Sequence, residues 1–204
     1  MLRIGLVMLQ GARRAHIDAL NLASDATNIP IEIFELRKSE DLELCNPDAI
    51  ILPGGESTTM RLTGNSKHSN LFSNLFDYMI KNPSLPVLGT CAGAIILANP
   101  GGKNTSFVDA KLNRNAYGNQ SDSFQSTVFI KLFNSNFPGI FIRAPRFTEI
   151  GPEADVIAEI NSEVVGVRTK NRVALAFHPE LSDNPNFHIW LLEKSRENKS
   201  EMKL

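Results

Sequence analysis

Residues 86–96 read PVLGTCAGAII: an apolar run, a cysteine flanked by Gly89-Thr90 and Ala92-Gly93, and a second apolar run. The first run has the length and β-branched character of a buried strand, and the second opens as a helix. Between them the chain must reverse within a few residues, at Cys91. A strand that passes sharply into a helix is the repeating unit of an α/β sheet, so this stretch sets the expectation for the rest of the chain.

The segments on either side follow the same alternation. Residues 2–9 form a continuous apolar run, the pattern of a strand covered on both faces. In residues 12–25, Ala15, Ala19, Leu20, Leu22 and Ala23 recur at helical spacing. Residues 29–36 and 48–52 read as further strands, residues 71–80 as a helix, residues 85–89 as a fourth strand and residues 92–98 as the helix after Cys91. Beyond residue 99 the character changes. A stretch rich in Gly, Asn, Ser and Asp runs to residue 126. Short β-type runs follow at 127–133, 140–142, 156–160, 164–167 and 173–177, spaced like hairpins. A helix over 185–194 closes the pattern. The expected fold is α/β: a three-layer, open, mixed and mostly parallel sheet with helices on both faces, flavodoxin-like. Residues 1–196 are expected to form one domain, with 197–204 a frayed tail.

Composition narrows the function classes. The 204 residues are 42% apolar and 21% charged, with a net charge of −1. There is no basic excess to hold nucleic acid and no apolar run long enough to span a bilayer. Two cysteines make no disulfide framework in a chain this long, which fits a reducing, cytoplasmic setting.

Three stretches carry chemistry. Gly89-Thr90-Cys91-Ala92-Gly93 has the form of a nucleophile elbow, with sulfur in place of the hydroxyl. The positive end of the following helix favours a thiolate, and the Ala92 N–H can face an oxyanion. His178-Pro179-Glu180 ends a strand; in extended chain positions 178 and 180 share a side, so the carboxylate can orient the imidazole toward the cysteine. Leu52-Pro53-Gly54-Gly55-Glu56-Ser57 also ends a strand, and its paired glycines let backbone N–H groups approach a ligand. Cys45 lacks such a setting and reads as structural. His16, His68 and His188 read as helix or loop residues without a role.

Together these residues resemble the class I, triad-type glutamine amidotransferases, and most closely the glutaminase subunits of pyridoxal 5'-phosphate synthases. The stretches that carry the resemblance are Leu9-Gln10-Gly11-Ala12, LPGGESTTMR at 52–61, GTCAG at 89–93, RNAYG at 114–118 with FIRAP at 141–145, and FHPEL at 177–181. They span nearly the whole chain. The resemblance implies hydrolysis of L-glutamine to L-glutamate and ammonia, with the ammonia passed to a separate synthase subunit. It implies no cofactor and no metal. Cys91 is then the nucleophile, His178 the base and acid, and Glu180 its orienter. Gly55 and Ala92 supply oxyanion N–H groups. Gly55, Glu56, Ser57, Arg114, Ile142 and Arg143 are glutamine-binding positions, and the arginines suit the substrate's α-carboxylate. Gln10 is expected to couple the site to the partner subunit. Asn119 departs from the family pattern, which carries a second arginine there, and so does the polar stretch GGKNTSFVDAKL at 101–112. The alternatives are a glutaminase subunit serving histidine or purine biosynthesis, against which FIRAP and GGESTTMR argue, and a non-amidotransferase protein with an elbow cysteine, against which His178 and Glu180 argue.

Overall fold

The structure is a computed structural model and describes residues 1–102, 105–114 and 123–201. Asn119 and positions 115–118 of the RNAYG stretch lie outside the described residues.

The first half alternates as its apolar periodicity requires: β1 (Leu2–Val7), α1 (Arg13–Thr27), β2 (Ile31–Leu36), α2 (Ser39–Cys45), β3 (Ala49–Leu52), α3 (Ser57–Gly64), α4 (Leu71–Lys81), β4 (Val87–Thr90) and α5 (Ala92–Ala98). The second half is mainly strands: β5 (Ala110–Asn113), β6 (Ser123–Ile130), β7 (Ser135–Ile142), β8 (Arg146–Ile150), β9 (Asp155–Ile160), β10 (Glu163–Thr169) and β11 (Arg172–Leu175). A 3₁₀ turn at Pro179–Leu181 and helix α6 (Asn186–Glu201) close the chain.

Among the described residues the main sheet runs β2-β1-β3-β4-β11-β10-β9-β6-β7, and β5 pairs with β8 in a separate ribbon. Neighbours from β2 to β11 are parallel. From β11 onward they are antiparallel. Helices α1 and α6 pack together, with α6 against β1, β3 and β4; α5 packs on β3, β4 and β11 in company with α3. This is the mixed α/β sheet covered by helices that the sequence predicts. Strands β3 and β4 are buried at every position, which is why they read as unbroken apolar runs rather than alternating ones.

Several boundaries differ from expectation: β6 starts at Ser123, within the polar stretch, and α2, β5 and β8 are not among the expected elements. The chain turns at residues 131–134, with Asn134 at φ 49°, so the strand expected over 127–133 ends at Ile130. Its partner then extends back to Ser135 and forms a full hairpin with it. The last helix continues beyond Lys194 to Glu201, so residues 197–201 are helical rather than frayed. Lys199 Nζ lies 2.7 Å from Asp48 Oδ2 and 3.3 Å from the Met1 carbonyl, which ties that end of the helix to the sheet's edge. No helix among the described residues is long and apolar enough to cross a membrane.

The order of strands matters more for function than their lengths. The carboxyl ends of β1, β3, β4 and β11 lie side by side, and they lead into Gln10, Gly54-Gly55, Cys91 and His178. Functional groups of open α/β sheets gather at this edge.

Candidate active site

Cys91 caps helix α5 at φ 48° and ψ −104°, a region costly for a residue with a side chain. The surrounding packing holds it there. Its N–H donates to the Leu175 carbonyl at 2.8 Å, and its carbonyl accepts from Ile95 N–H at 3.2 Å. The flanking glycines are required by close approach. A Cβ on Gly89 would sit 2.6 Å from Leu97 Cδ1, and one on Gly93 would overlap the Leu52 carbonyl. The elbow is therefore a tight seat of α5 on β3 and β4, with the sulfur at its tip. Cys91 is buried to 7% exposure, and Sγ lies 3.9 Å from the Ile142 carbonyl.

His178 follows β11 and its N–H donates to the Ile140 carbonyl at 2.8 Å. Its Nδ1 lies 2.8 Å from Glu180 Oε1, and the imidazole shares the space around Gly54 with Cys91, close enough to feel its sulfur. The three residues expected to act together are thus brought together. The route differs from the extended chain expected at 178–180: Pro179 starts a 3₁₀ turn, its fixed φ suiting the first helical position, and the turn swings Glu180 back beneath the ring. Burial pulls the His178 imidazole toward its neutral form, but bonds to Cys91 and Glu180 and their negative charge raise it to about 10. Burial likewise opposes the Glu180 carboxylate, but the fields of His16 and His178 and the His178 bond hold its carboxyl down at about 2.

The Gly54-Gly55 segment lies against this group. A Cβ on Gly54 would overlap His178 Cε1 and approach Cys91 Cβ at 3.4 Å. The Gly54 carbonyl faces Gly11, where any side chain would strike it, and Gly55 has φ 153°. Because the peptide is planar and trans, the Gly55 N–H points to the opposite side. Gln10 Oε1 accepts the Glu56 N–H at 2.7 Å, so the turn after β1 braces the turn after β3.

Glu56 caps helix α3. Its carboxylate accepts from Thr58 N–H at 3.0 Å and from Thr59 N–H at 2.7 Å, and these bonds hold its carboxyl at about 2. Arg114 bonds to Thr58 Oγ1 and lies 3.7 Å from Glu56 Oε1, which places this arginine beside the GGES turn. Ser57 is buried at the first position of α3. Arg143 follows β7 at φ 45°, exposed, next to the Ile142 carbonyl that faces Cys91. The Ala92 N–H opens α5 directly after Cys91, where a helix leaves its first donors unpaired.

Two residues read as bland in the sequence belong to this site. His16 and His188 are both fully buried. His16 Nε2 lies 3.5 Å from Glu180 Oε1 and its Nδ1 lies 3.1 Å from His188 Nε2. A signal was present: His16 shares a helical stripe with Ala19, Leu20 and Ala23, and His188 with Leu191, Leu192 and Ser195, all buried. A histidine on such a stripe faces the core. His68 is exposed, as expected, and Cys45 is fully buried away from the site, its thiol pushed up to about 12 by burial. Among the described residues no cluster of His, Cys, Asp and Glu could hold a metal ion.

Comparison with known proteins places the chain among amidotransferases. The chain is 41% identical to the pyridoxal 5'-phosphate synthase subunit PdxT of Thermococcus onnurineus, covering 96% of this chain and all of that protein. It is 34% identical to the PdxT subunit of Methanosarcina mazei, covering 95% and 98% of the two chains. A crystal structure of a glutamine amidotransferase superposes with a TM-score of 0.79 at 34% identity, covering 95% of this chain and 99% of that one. A glutamine amidotransferase from Thermotoga maritima shares the fold alone, with a TM-score of 0.60 at 15% identity over 98% and 92% of the chains. The elbow cysteine, its histidine and the paired glycines fall within residues 6–197, the span matched by the family model, and the chain belongs to the SNO glutamine amidotransferase family.

Proposed function

We propose that the chain is a glutaminase that hydrolyses L-glutamine to L-glutamate and ammonia and hands the ammonia to a partner synthase subunit that makes pyridoxal 5'-phosphate. The observation that carries this reading is the Cys91–His178–Glu180 arrangement: Glu180 holds the imidazole at 2.8 Å, and the ring and Cys91 Cβ both lie against Gly54 at the tip of the elbow. The 41% identity to a pyridoxal 5'-phosphate synthase subunit supports the identity of the partner. A cytoplasmic site of action fits free thiols at Cys45 and Cys91.

In this mechanism His178 takes the thiol proton and Cys91 Sγ attacks the side-chain carboxamide carbon of glutamine. The charge that develops on oxygen is met by the N–H groups of Ala92 and Gly55. His178 returns the proton to the leaving nitrogen, so ammonia departs and a γ-glutamyl thioester remains. Water then attacks the thioester with His178 as base, releasing glutamate and restoring the thiol. Arg114, Arg143 and the Ile142 backbone hold the amino-acid end of the substrate, beside Glu56 and Ser57.

The test is a glutaminase assay with and without a pyridoxal 5'-phosphate synthase subunit. Cys91→Ala abolishes turnover and Cys45→Ala preserves it, and a glutamine-like electrophile labels Cys91. Labelling of Cys45 in the intact protein, or full turnover by Cys91→Ala, rejects the reading.

A further inference from the structure

We propose that His16, braced by His188, is a positioning residue that fixes the Glu180 carboxylate and thereby the imidazole of His178. The proposal rests on the catalytic reading of Cys91, His178 and Glu180 given above.

Three elements far apart in sequence meet to form this group: α1 supplies His16, α6 supplies His188 and the 3₁₀ turn supplies Glu180. The side chains of His16 and Glu180 are both at 0% exposure. Glu180 Oε2 has no protein hydrogen-bond partner among the described residues, so the carboxylate is held through Oε1. That single oxygen faces His178 Nδ1 at 2.8 Å and His16 Nε2 at 3.5 Å. A buried carboxylate with so few partners depends on each of them.

The direction of the protons follows from the acceptor. Ionised Glu180 can only accept, so His16 must present Nε2–H to it; a lone pair there would repel the carboxylate. The other nitrogen of neutral His16, Nδ1, is then an acceptor. His188 must therefore donate its Nε2–H across the 3.1 Å contact. One tautomer of each ring suits both contacts, and both N–H dipoles point toward Glu180; at 3.5 Å His16 Nε2 makes no hydrogen bond among the described residues, so it acts on the carboxylate through its field. Neutrality matters here. A full charge on His16 would compete with protonated His178 for the same oxygen, whereas an N–H dipole supports the carboxylate without doing so. Burial, the largest influence on either ring, lowers the proton affinity of His16 and sets that of His188 at about 3.

His16→Leu removes the donor and His16→Gln replaces it, since the amide nitrogen of glutamine can stand near the position of Nε2. In His16→Leu, assayed with the synthase partner, kcat should fall by roughly 10–100-fold, the scale for losing a group that orients a functional histidine. KM should stay unchanged, because His16 does not touch the substrate. The His178 titration, followed by imidazole NMR, should shift to lower pH in His16→Leu and return toward wild type in His16→Gln. If His16→Leu does not fold, His188→Leu carries the test, with the same directions and a smaller size. An unchanged kcat and an unchanged His178 titration in the folded variant overturn the proposal, as does an equal loss in His16→Gln. The NMR titration needs no glutamine turnover, so failure of the glutaminase reading and failure of this one are distinguishable.

Discussion

Gly54 lies so close to His178 that a Cβ at position 54 would overlap Cε1 of the ring and stand 3.0 Å from Nδ1. The imidazole is held at Nδ1 by Glu180 at 2.8 Å, so it cannot swing away without losing that bond. Gly54→Ala should therefore displace the base while leaving the sheet intact. Gly54 does not have the positive φ that would make alanine strained on its own account. Loss of a positioned base costs roughly 10²–10⁴-fold in rate, and kcat for glutamine should fall within that range with little change in Tm. A Gly54→Ala protein that keeps wild-type kcat would show that the ring has another place to sit.

This requirement could not be read from the sequence. The paired glycines at 54 and 55 are visible there as a permissive turn, but the neighbour that forbids a side chain comes from residue 178, two strands away across the sheet. Contacts that depend on the β3-β4-β11 order are tertiary, and no local pattern encodes them. What was legible is what a local pattern does encode. The unbroken apolar runs of β3 and β4 announce strands buried on both faces, and Gly89 and Gly93 announce a tight elbow. The proline after His178 marked the end of a strand, although it began a 3₁₀ turn rather than extended chain. His16 and His188 read in the sequence only as helix residues without a role, because a single titratable side chain does not announce burial. Their spacing to Leu20 and Leu192 does carry that information.

Those two histidines give the fold an acid sensitivity. Burial lowers both folded rings from the ordinary imidazole value of 6.5, His188 down to about 3. As pH falls below about 6.5 the unfolded chain thus gains a proton on His188 that the folded chain does not bind until about pH 3, and the lowered His16 acts in the same direction. Stability is then fully present above 6.5 and lost as pH falls, with a limiting slope of about 1.4 kcal/mol per pH unit for the His188 proton and a contribution of the same sign from His16. His178 has the opposite sign: its raised value makes its contribution complete below 6.5 and lost as pH rises through about 10. Glu180 adds to the acid loss only below the ordinary carboxylate value of 4.5, down to about 2. Urea unfolding at a series of pH values should show this slope, and His188→Phe should remove the His188 part of it. An unchanged slope in that variant would mean that His188 is already protonated in the folded chain.

The last relationship concerns the turn after β1. Gln10 is exposed, yet its Oε1 accepts the Glu56 N–H at 2.7 Å and its Cβ lies against Gly55. The adjoining 54–55 peptide sits between two glycines and can rotate at little steric cost. In the orientation seen here its carbonyl faces Gly11, which has no side chain to block it. In the reverse orientation a carbonyl would stand where an oxyanion needs an N–H. A glutaminase that ran without its partner would release ammonia to water, so a switch at this peptide would couple hydrolysis to use. We expect the synthase subunit to bind at this edge of the sheet, touch the exposed Gln10-Gly11 turn and favour the orientation that offers the Gly55 N–H. Gln10→Ala removes the brace between the two turns without touching Cys91, His178 or Glu180. Activation by the synthase subunit should fall toward the roughly 10²–10³-fold loss expected when one oxyanion donor is missing. Covalent labelling of Cys91 by a simple alkylating agent should be unchanged, because the thiol and its histidine are left in place. Normal activation of Gln10→Ala, or full glutaminase activity of the isolated wild-type chain, would place the control of this site elsewhere.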